Sequence, residues 1–444
     1  MSSPPLPAAR PATARLAALV LGLCWFTVLV DGLDLFSYGA VLPAVLADES
    51  FGLDAATAGE IGSLTTFGML LGALTSGIIT DRVGRRTILL AGVVVFSLAS
   101  AGCALAPGAA AFGAARFVAG FGLGGLLPTA ITTVLEFAPP GRKNITVTLL
   151  MTAHQAGGAL AGVLAMSVVE ALGWRAVFWL GALPLVLVVP VLWVLLPESI
   201  TFLLAKGRTE QAQRLATRYG VPLEAYAPVA AEGDSERTGL RGLFAPGLRK
   251  VTVLFWIGSF FGLVLVYGVS TWLPTMMRAA GYELGSAVSF LVVINIGGIV
   301  GMLVAGRLAD RIGARTVAVA WFLLTAAAVG LLFLRMPLLL TYLVVFLAGA
   351  WLFSAQTLVY AAVGTTYPAR SRATAVGWAA GIGRWGAVAG PWVGGLLIAS
   401  GASRWGFVMF AVAGLIGAAV IAAARTRGPA APAPAAERGA GVTA

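Results

Sequence analysis

The sequence predicts an all-α polytopic membrane protein, with about twelve transmembrane helices in two pseudo-symmetric six-helix bundles. Composition, the spacing of long apolar runs and the placement of basic residues each point there. Of 444 residues, 59% are hydrophobic and 11% charged, and the mean hydropathy is +0.93. Soluble domains carry about 25% charged residues, so a water-soluble globule is excluded. Apolar runs recur from Leu16 to Arg425, each long enough for the ~20 residues that cross a hydrocarbon core.

The first half reads as spans 16–46, 55–80, 86–106, 109–137, 145–172 and 174–196. The second reads as 250–281, 284–305, 314–334, 337–367, 370–400 and 403–425. The bundles therefore occupy 16–196 and 250–425, joined by a polar segment at 197–249 and flanked by tails at 1–15 and 426–444. The Pro/Ala-rich ends are expected to be disordered. The start, "MSSPPLPAARPATAR", carries no short apolar segment with a cleavage site, so no cleaved signal peptide is expected. Within the linker, Ile200 to Tyr219 sets Phe202, Leu203, Leu204, Ala212, Leu215 and Ala216 against Lys and Arg, the pattern of a surface amphipathic helix.

A net charge of +11 and a pI near 10.3 raise nucleic acid as a partner. The span map removes it. One set of loops and the two tails hold 23 of the 29 basic residues, while the opposite side holds only Arg175, Arg278, Arg335 and Arg404. That asymmetry is a topology signal and places both termini in the cytoplasm. Cys24 and Cys103 lie in apolar spans and read as small packing residues rather than as a disulfide. No nucleophile and base pair, metal-ligand cluster or phosphate loop is present, so neither an enzyme nor a metal or cofactor site is expected.

The halves repeat a loop. "GIITDRVGRRTILL" follows the second span and "GRLADRIGARTVAV" the eighth, so Gly77, Asp81, Arg82, Gly84 and Arg86 correspond to Gly306, Asp310, Arg311, Gly313 and Arg315; Ala314 stands where the first loop has Arg85. The glycines suit a tight turn, Asp81 suits a helix N-terminus, and the arginines can pair with acids on neighbouring helices. Glu136, closing the fourth span, is expected to pair with Arg82 or join that latch. Such contacts would hold one face shut and release it as the halves rock.

Ionisable groups inside a span cost about 2.5–3.5 kcal/mol at the helix centre, so each needs a reason. Asp31 and Asp34, in "LVDGLDLFSYGAVLP", share one face of the first span, ~4.5 Å apart along its axis. Two carboxylates this close in a low dielectric resist being ionised together, so at least one is expected to bind a proton reversibly; pairing with arginines for assembly is the competing expectation. Gly32 and Gly39 permit close packing, Pro43 can bend the outer end, and Phe36 and Tyr38 add aromatic surface. Arg116 lies in the fourth span and Arg384 in the eleventh, flanked by Trp378 and Trp385. A guanidinium can clamp a carboxylate through two parallel hydrogen bonds, which points to an anionic substrate. Arg384 is the better substrate candidate, since Arg116 can equally neutralise an aspartate. His154, the only histidine, sits beside Gln155 in the fifth span and either carries a proton or hydrogen-bonds across helices. Asn295 and Gln356 are weaker candidates of the same kind.

The doubled G-x-x-x-D-R-x-G-R-R loop in a six-plus-six chain resembles the signature of the major facilitator superfamily. Five stretches resemble its aromatic acid:proton symporter family more narrowly: "DGLDLFSYGAVLP", "RFVAGFGLGGLLPTAITTVLEFAPPGRK", "PESITFLLAKG", "STWLPTMM" with Trp272, and "GIGRWGAVAGPWVGG". The resemblance implies two bundles that rock about a central cavity in the bacterial inner membrane, importing benzoate-type anions such as benzoate, hydroxybenzoates or protocatechuate with protons. It implies Asp31 and Asp34 as coupling acids, Arg384 as the carboxylate partner, and Arg116 and Glu136 as transport-relevant charges; the residues themselves add His154 as a proton-coupling candidate, and Arg116, Tyr38, Trp272 and Trp385 as substrate-binding candidates. Asp81, Arg82, Arg85, Arg86, Glu136, Asp310, Arg311 and Arg315 would form the latch. The proton gradient is the only co-reactant expected, and a monomer in the lipid bilayer the expected unit. The competing expectations are a carrier of another small organic anion such as a dicarboxylate or muconate, a drug or metabolite exporter, and a transporter-like sensor. His154 and Gln155 depart from the family pattern, and the second half holds no histidine.

Overall fold

In bilayer hydrocarbon each backbone polar group must be satisfied within its own segment, so the apolar runs fold as long helices. The computed structural model describes residues 11–139, 142–219, 223 and 242–424. The outer parts of the expected tails and most of the linker fall outside the described residues. Eleven helices are long and apolar enough to cross a membrane; a twelfth, Ala369–Ala399, is 31 residues long and packs among them.

The first half contains α1 (Pro11–Ala47), α2 (Ala55–Val83), α3 (Arg85–Leu105), α4 (Ala109–Gly124), α5 (Leu126–Phe137), α6 (Lys143–Leu172), α7 (Arg175–Ala182) and α8 (Pro184–Leu195). The fourth span is broken at Gly125, four residues after Phe121, because Pro128 cannot donate to the preceding turn. Pro184 breaks the sixth span in the same way. The linker begins as α9 (Ile200–Ala205) and α10 (Thr209–Tyr219), split by Gly207 at φ 69°, so the single amphipathic helix expected there is two. The second half contains α11 (Arg249–Ala279), α12 (Leu284–Ile312), α13 (Ala314–Leu331), α14 (Leu338–Thr366), α15 (Ala369–Ala399) and α16 (Trp405–Ala423).

The repeated loop is a one-residue turn in each half. Gly84 at φ 93° separates α2 from α3, and Gly313 at φ 87° separates α12 from α13. A side chain would strain either backbone. Asp81 is exposed in the last turn of α2, so it does not serve a helix N-terminus. Glu198 does: its carboxylate accepts the backbone N–H groups of Arg85 and Arg86 at 3.0 and 3.2 Å, where the helix dipole favours negative charge. Glu136 pairs with Arg85, not with Arg82, and also accepts from the Ser199 hydroxyl and from Thr201. Arg86 donates to the Trp193 carbonyl, and Arg315 to those of Ala422 and Ala424. Arg82, Asp310 and Arg311 are exposed. Among the described residues no ion pair joins the halves, and Arg85, Arg86 and Arg315 are held within their own half.

The halves meet at and beyond the membrane midplane, on the side away from the basic loops. A Cβ built at Gly39 of α1 would stand 2.4 Å from the Ser270 carbonyl of α11, and one at Gly59 of α2 would stand 2.9 Å from Gly395 of α15. Only glycine admits such an approach. Ser63 donates to the Val388 carbonyl at 2.7 Å and Arg278 to that of Pro43 at 3.0 Å, tying both sides of the closure. Toward the basic face, a Cβ at Gly77, Gly306, Gly364, Gly377 or Gly381 would meet nothing within 4 Å. Among the described residues the halves are thus in closest contact on the face opposite the basic loops. On the closed face Asp48 accepts from the Ser50 hydroxyl and the Trp174 indole, which hold its carboxyl below the usual range. That cap contributes stability above the ordinary carboxylate range and loses it as pH falls through the lowered value.

Gly59→Val should wedge α2 from α15 and hold the closed face apart. A cysteine introduced at Ser270, buried under Gly39 in this state, should then react several-fold faster with a membrane-impermeant maleimide added from that face. Unchanged labelling would contradict the closure described.

Candidate transport site

The four intramembrane charges separate into two groups. Arg116 of α4 donates to Asp34 of α1 at 2.9 Å, with side-chain exposures of 1% and 2%. The guanidinium lies over the rings of Tyr38 and Phe178 at 5.4 and 5.8 Å, and the Tyr38 hydroxyl donates to the Ala58 carbonyl at 2.6 Å. Arg116 and Tyr38 are therefore engaged by partners of the first half.

Asp31, one turn earlier on the same helix, is also buried, and neither of its oxygens has a hydrogen-bond partner. Gly32, following it, packs directly on the His154 backbone, which brings α6 against α1. His154 Nε2 lies 3.9 Å from Asp31 Oδ2, and Nδ1 lies 3.3 Å from Gln155 Oε1. From the other half Arg384 of α15 comes within Coulombic reach of Asp31, His154 and Tyr360, and donates to the Tyr267 hydroxyl of α11 at 3.2 Å. Arg384 has no carboxylate in salt-bridge contact among the described residues. The cluster thus sets an unpaired cation and a buried, unsatisfied acid on opposite halves of one cleft.

Aromatic surface adjoins it. Phe36 stands edge-on to His154 at 5.5 Å and to Phe353 of α14 at 6.1 Å. Trp385 is half exposed, 6.2 Å from Phe67 of the first half, and Trp378 stacks on Trp256 at 5.7 Å. Trp272 is not brought to the cluster: it is fully buried, with its indole donating to the Pro391 carbonyl at 2.8 Å, and braces α11 against α15. Gln356 donates to Ser259 at 3.1 Å, while Asn295 presses its side-chain oxygen against Gly158 across the halves. Sequence reasoning passed over Tyr267, Tyr360 and Phe353. Their signal was faint: an isolated tyrosine in "LVLVYGVS" marks a polar position in an apolar run, but only the packing aims it at Arg384.

The comparisons with known proteins agree with this architecture. The profile described as Major Facilitator Superfamily matches residues 24–381 and 291–444. The gentisate transporter of Corynebacterium glutamicum is 36% identical over 408 residues, covering 91% of this chain and 86% of the relative. The benzoate transport protein of Acinetobacter baylyi is 34% identical, covering 85% and 83%. The chain belongs to the Major Facilitator Superfamily, among its aromatic acid transporters. The 4-hydroxybenzoate transporter of Pseudomonas aeruginosa is another such relative, 34% identical and covering 96% and 97%. The superfamily fold is borne out by a solved inward-open form of the xylose transporter of E. coli, with a TM-score of 0.75 at 16% identity over 91% of this chain and 95% of that one.

For this superfamily member the buried pair yields a stability prediction. Arg116→Leu strands the Asp34 carboxylate and should destabilise the protein by ~3–5 kcal/mol, whereas the double variant Asp34→Asn with Arg116→Leu should recover much of that loss. Thermal unfolding in detergent checks it; a double variant no better than the single would show that the pair is not the source.

Proposed function

We propose that this chain imports a small aromatic carboxylate, of the benzoate, hydroxybenzoate or protocatechuate type, together with protons across a bacterial cytoplasmic membrane. The observation that carries the reading is the division among the four charges: Asp34 and Arg116 neutralise one another, which leaves Asp31 to titrate and Arg384 to take an anion. The names of the relatives support the chemical class, and Trp385, exposed and next to Arg384 in the chain, is the candidate for the ring contact. An aromatic ring buries apolar area while its carboxylate meets the guanidinium in two parallel hydrogen bonds.

In this reading the basic face is cytoplasmic, by the positive-inside rule, and the structure is inward-open. Protonation of Asp31 removes a negative charge that would repel the substrate and that otherwise competes for Arg384. The loaded carrier then reorients, opening at Gly39 and Gly59 and closing over the basic loops. One proton moving with a monoanion makes the cycle electroneutral, driven by the pH gradient alone. The protein works as a monomer with no cofactor beyond that gradient, and carries no enzymatic step.

Proteoliposomes loaded at high pH test the reading with labelled benzoate and 4-hydroxybenzoate. Asp31→Asn should lose proton-driven accumulation, with counterflow the lesser loss, and Arg384→Gln should raise KM for the carboxylate by ~10-fold or more, the effect of losing a charged hydrogen-bond partner. Absence of uptake for every aromatic acid, or accumulation surviving Asp31→Asn, would refute it. A muconate or dicarboxylate that competes more strongly than benzoate would reassign the substrate.

A further inference from the structure

His154 and Gln155 have no part in the cycle above, yet they occupy its centre. Among the described residues His154 is the one side chain in ion-pair distance of Asp31, at 3.9 Å, and it faces Asp31 through Nε2. Its other nitrogen, Nδ1, is taken by the side-chain oxygen of Gln155 at 3.3 Å. An amide oxygen only accepts, so this contact places the proton on Nδ1 and leaves a lone pair on Nε2, directed at Asp31. Gln155 is itself buried, and its Nε2 packs against Gly298 of the other half without a hydrogen-bond partner. The exposures differ in the sense needed for relay: the Asp31 side chain is 1% exposed and that of His154 14%.

We propose that His154 is the proton exit of Asp31, with Gln155 as the positioning residue that sets its tautomer. This rests on the coupling role of Asp31 proposed above. The Oδ2–H bond of Asp31 breaks as an N–H bond forms at His154 Nε2, leaving a carboxylate beside an imidazolium. The imidazolium keeps its Nδ1–H on the Gln155 oxygen, so the same amide orientation serves both protonation states. Water in the cleft then takes the proton from Nε2 and restores the neutral ring. The charged or titratable groups facing this step are few. Asp34, on the same helix as Asp31, is neutralised by Arg116. From the other half, Arg384 of α15 faces both Asp31 and His154, while Tyr267 of α11 and Tyr360 of α14 face Arg384. Nearby Asn295 of α12 is neutral. Arg384 disfavours the imidazolium, and a bound carboxylate relieves that repulsion, so proton transfer and substrate occupancy are linked.

The chain's single histidine makes the test direct. Protein labelled with 15N-histidine and purified through a histidine-free tag gives one imidazole spectrum. It should show Nδ1–H and an unprotonated Nε2 in the neutral ring, and a titration that moves on Asp31→Asn and on addition of benzoate. In proteoliposomes, His154→Gln should lower the ratio of proton-driven accumulation to counterflow by ~10-fold, and Gln155→Leu should displace the pH profile of uptake. A neutral ring protonated on Nε2, or a His154→Gln variant with the wild-type ratio and pH profile, would overturn the proposal. If Asp31→Asn uncouples and His154→Gln does not, the transport reading stands and this inference falls; if neither uncouples, the transport reading itself falls. Should the variants fail to insert, the wild-type spectrum alone decides.

Discussion

The buried contact between Arg116 and Asp34 is the interaction on which the rest of the site depends. A carboxylate in hydrocarbon must be paired, protonated or solvated. By taking up Asp34, Arg116 removes one of two adjacent acids from the titration and leaves Asp31 with no counter-charge of its own half. Everything proposed for transport follows from that asymmetry. Were both acids paired, neither would respond to pH; were both free, α1 would carry two competing charges one turn apart.

The second constraint is steric. The halves carry few specific bonds across their interface, and glycines at Gly39 and Gly59 let backbone approach backbone. Close van der Waals packing without ion pairs suits an interface that must form and separate in every cycle, because little charge has to be rehydrated when it opens. Ionic contacts of the basic loops, by contrast, lie within a half: Glu136 and Glu198 tie the turn at Gly84 to the start of the linker. These contacts join loop and linker within the first half and leave the glycine-lined faces free of ionic ties.

Much of this was legible in the chain. Apolar runs give the spans because hydrocarbon leaves the backbone no alternative to helix, and the repeated loop gives the two halves because glycine is needed wherever φ turns positive, as at Gly84 and Gly313. The breaks at Gly125 and Leu183 followed from Pro128 and Pro184, but a proline in a span reads equally as a kink or a break until its neighbours are placed. The site was harder. Asp31, Asp34, Arg116, His154 and Arg384 stand out in any apolar run, yet their pairing depends on helices at least 82 residues apart in the chain.

By itself the sequence determined the apolar spans, their repeat and the set of side chains too polar for their surroundings, since each depends on residues near one another in the chain. Tertiary structure decided which acid is paired, that Glu136 meets Arg85 and Glu198 the turn, that Trp272 braces helices, and that Tyr267, Phe353 and Gln155 belong to the cluster. The physical reason is that a partner's identity is set by the rotation and depth of two packed helices, and that rotation is fixed by many small contacts, foremost those at glycines such as Gly32, which no single stretch of sequence contains.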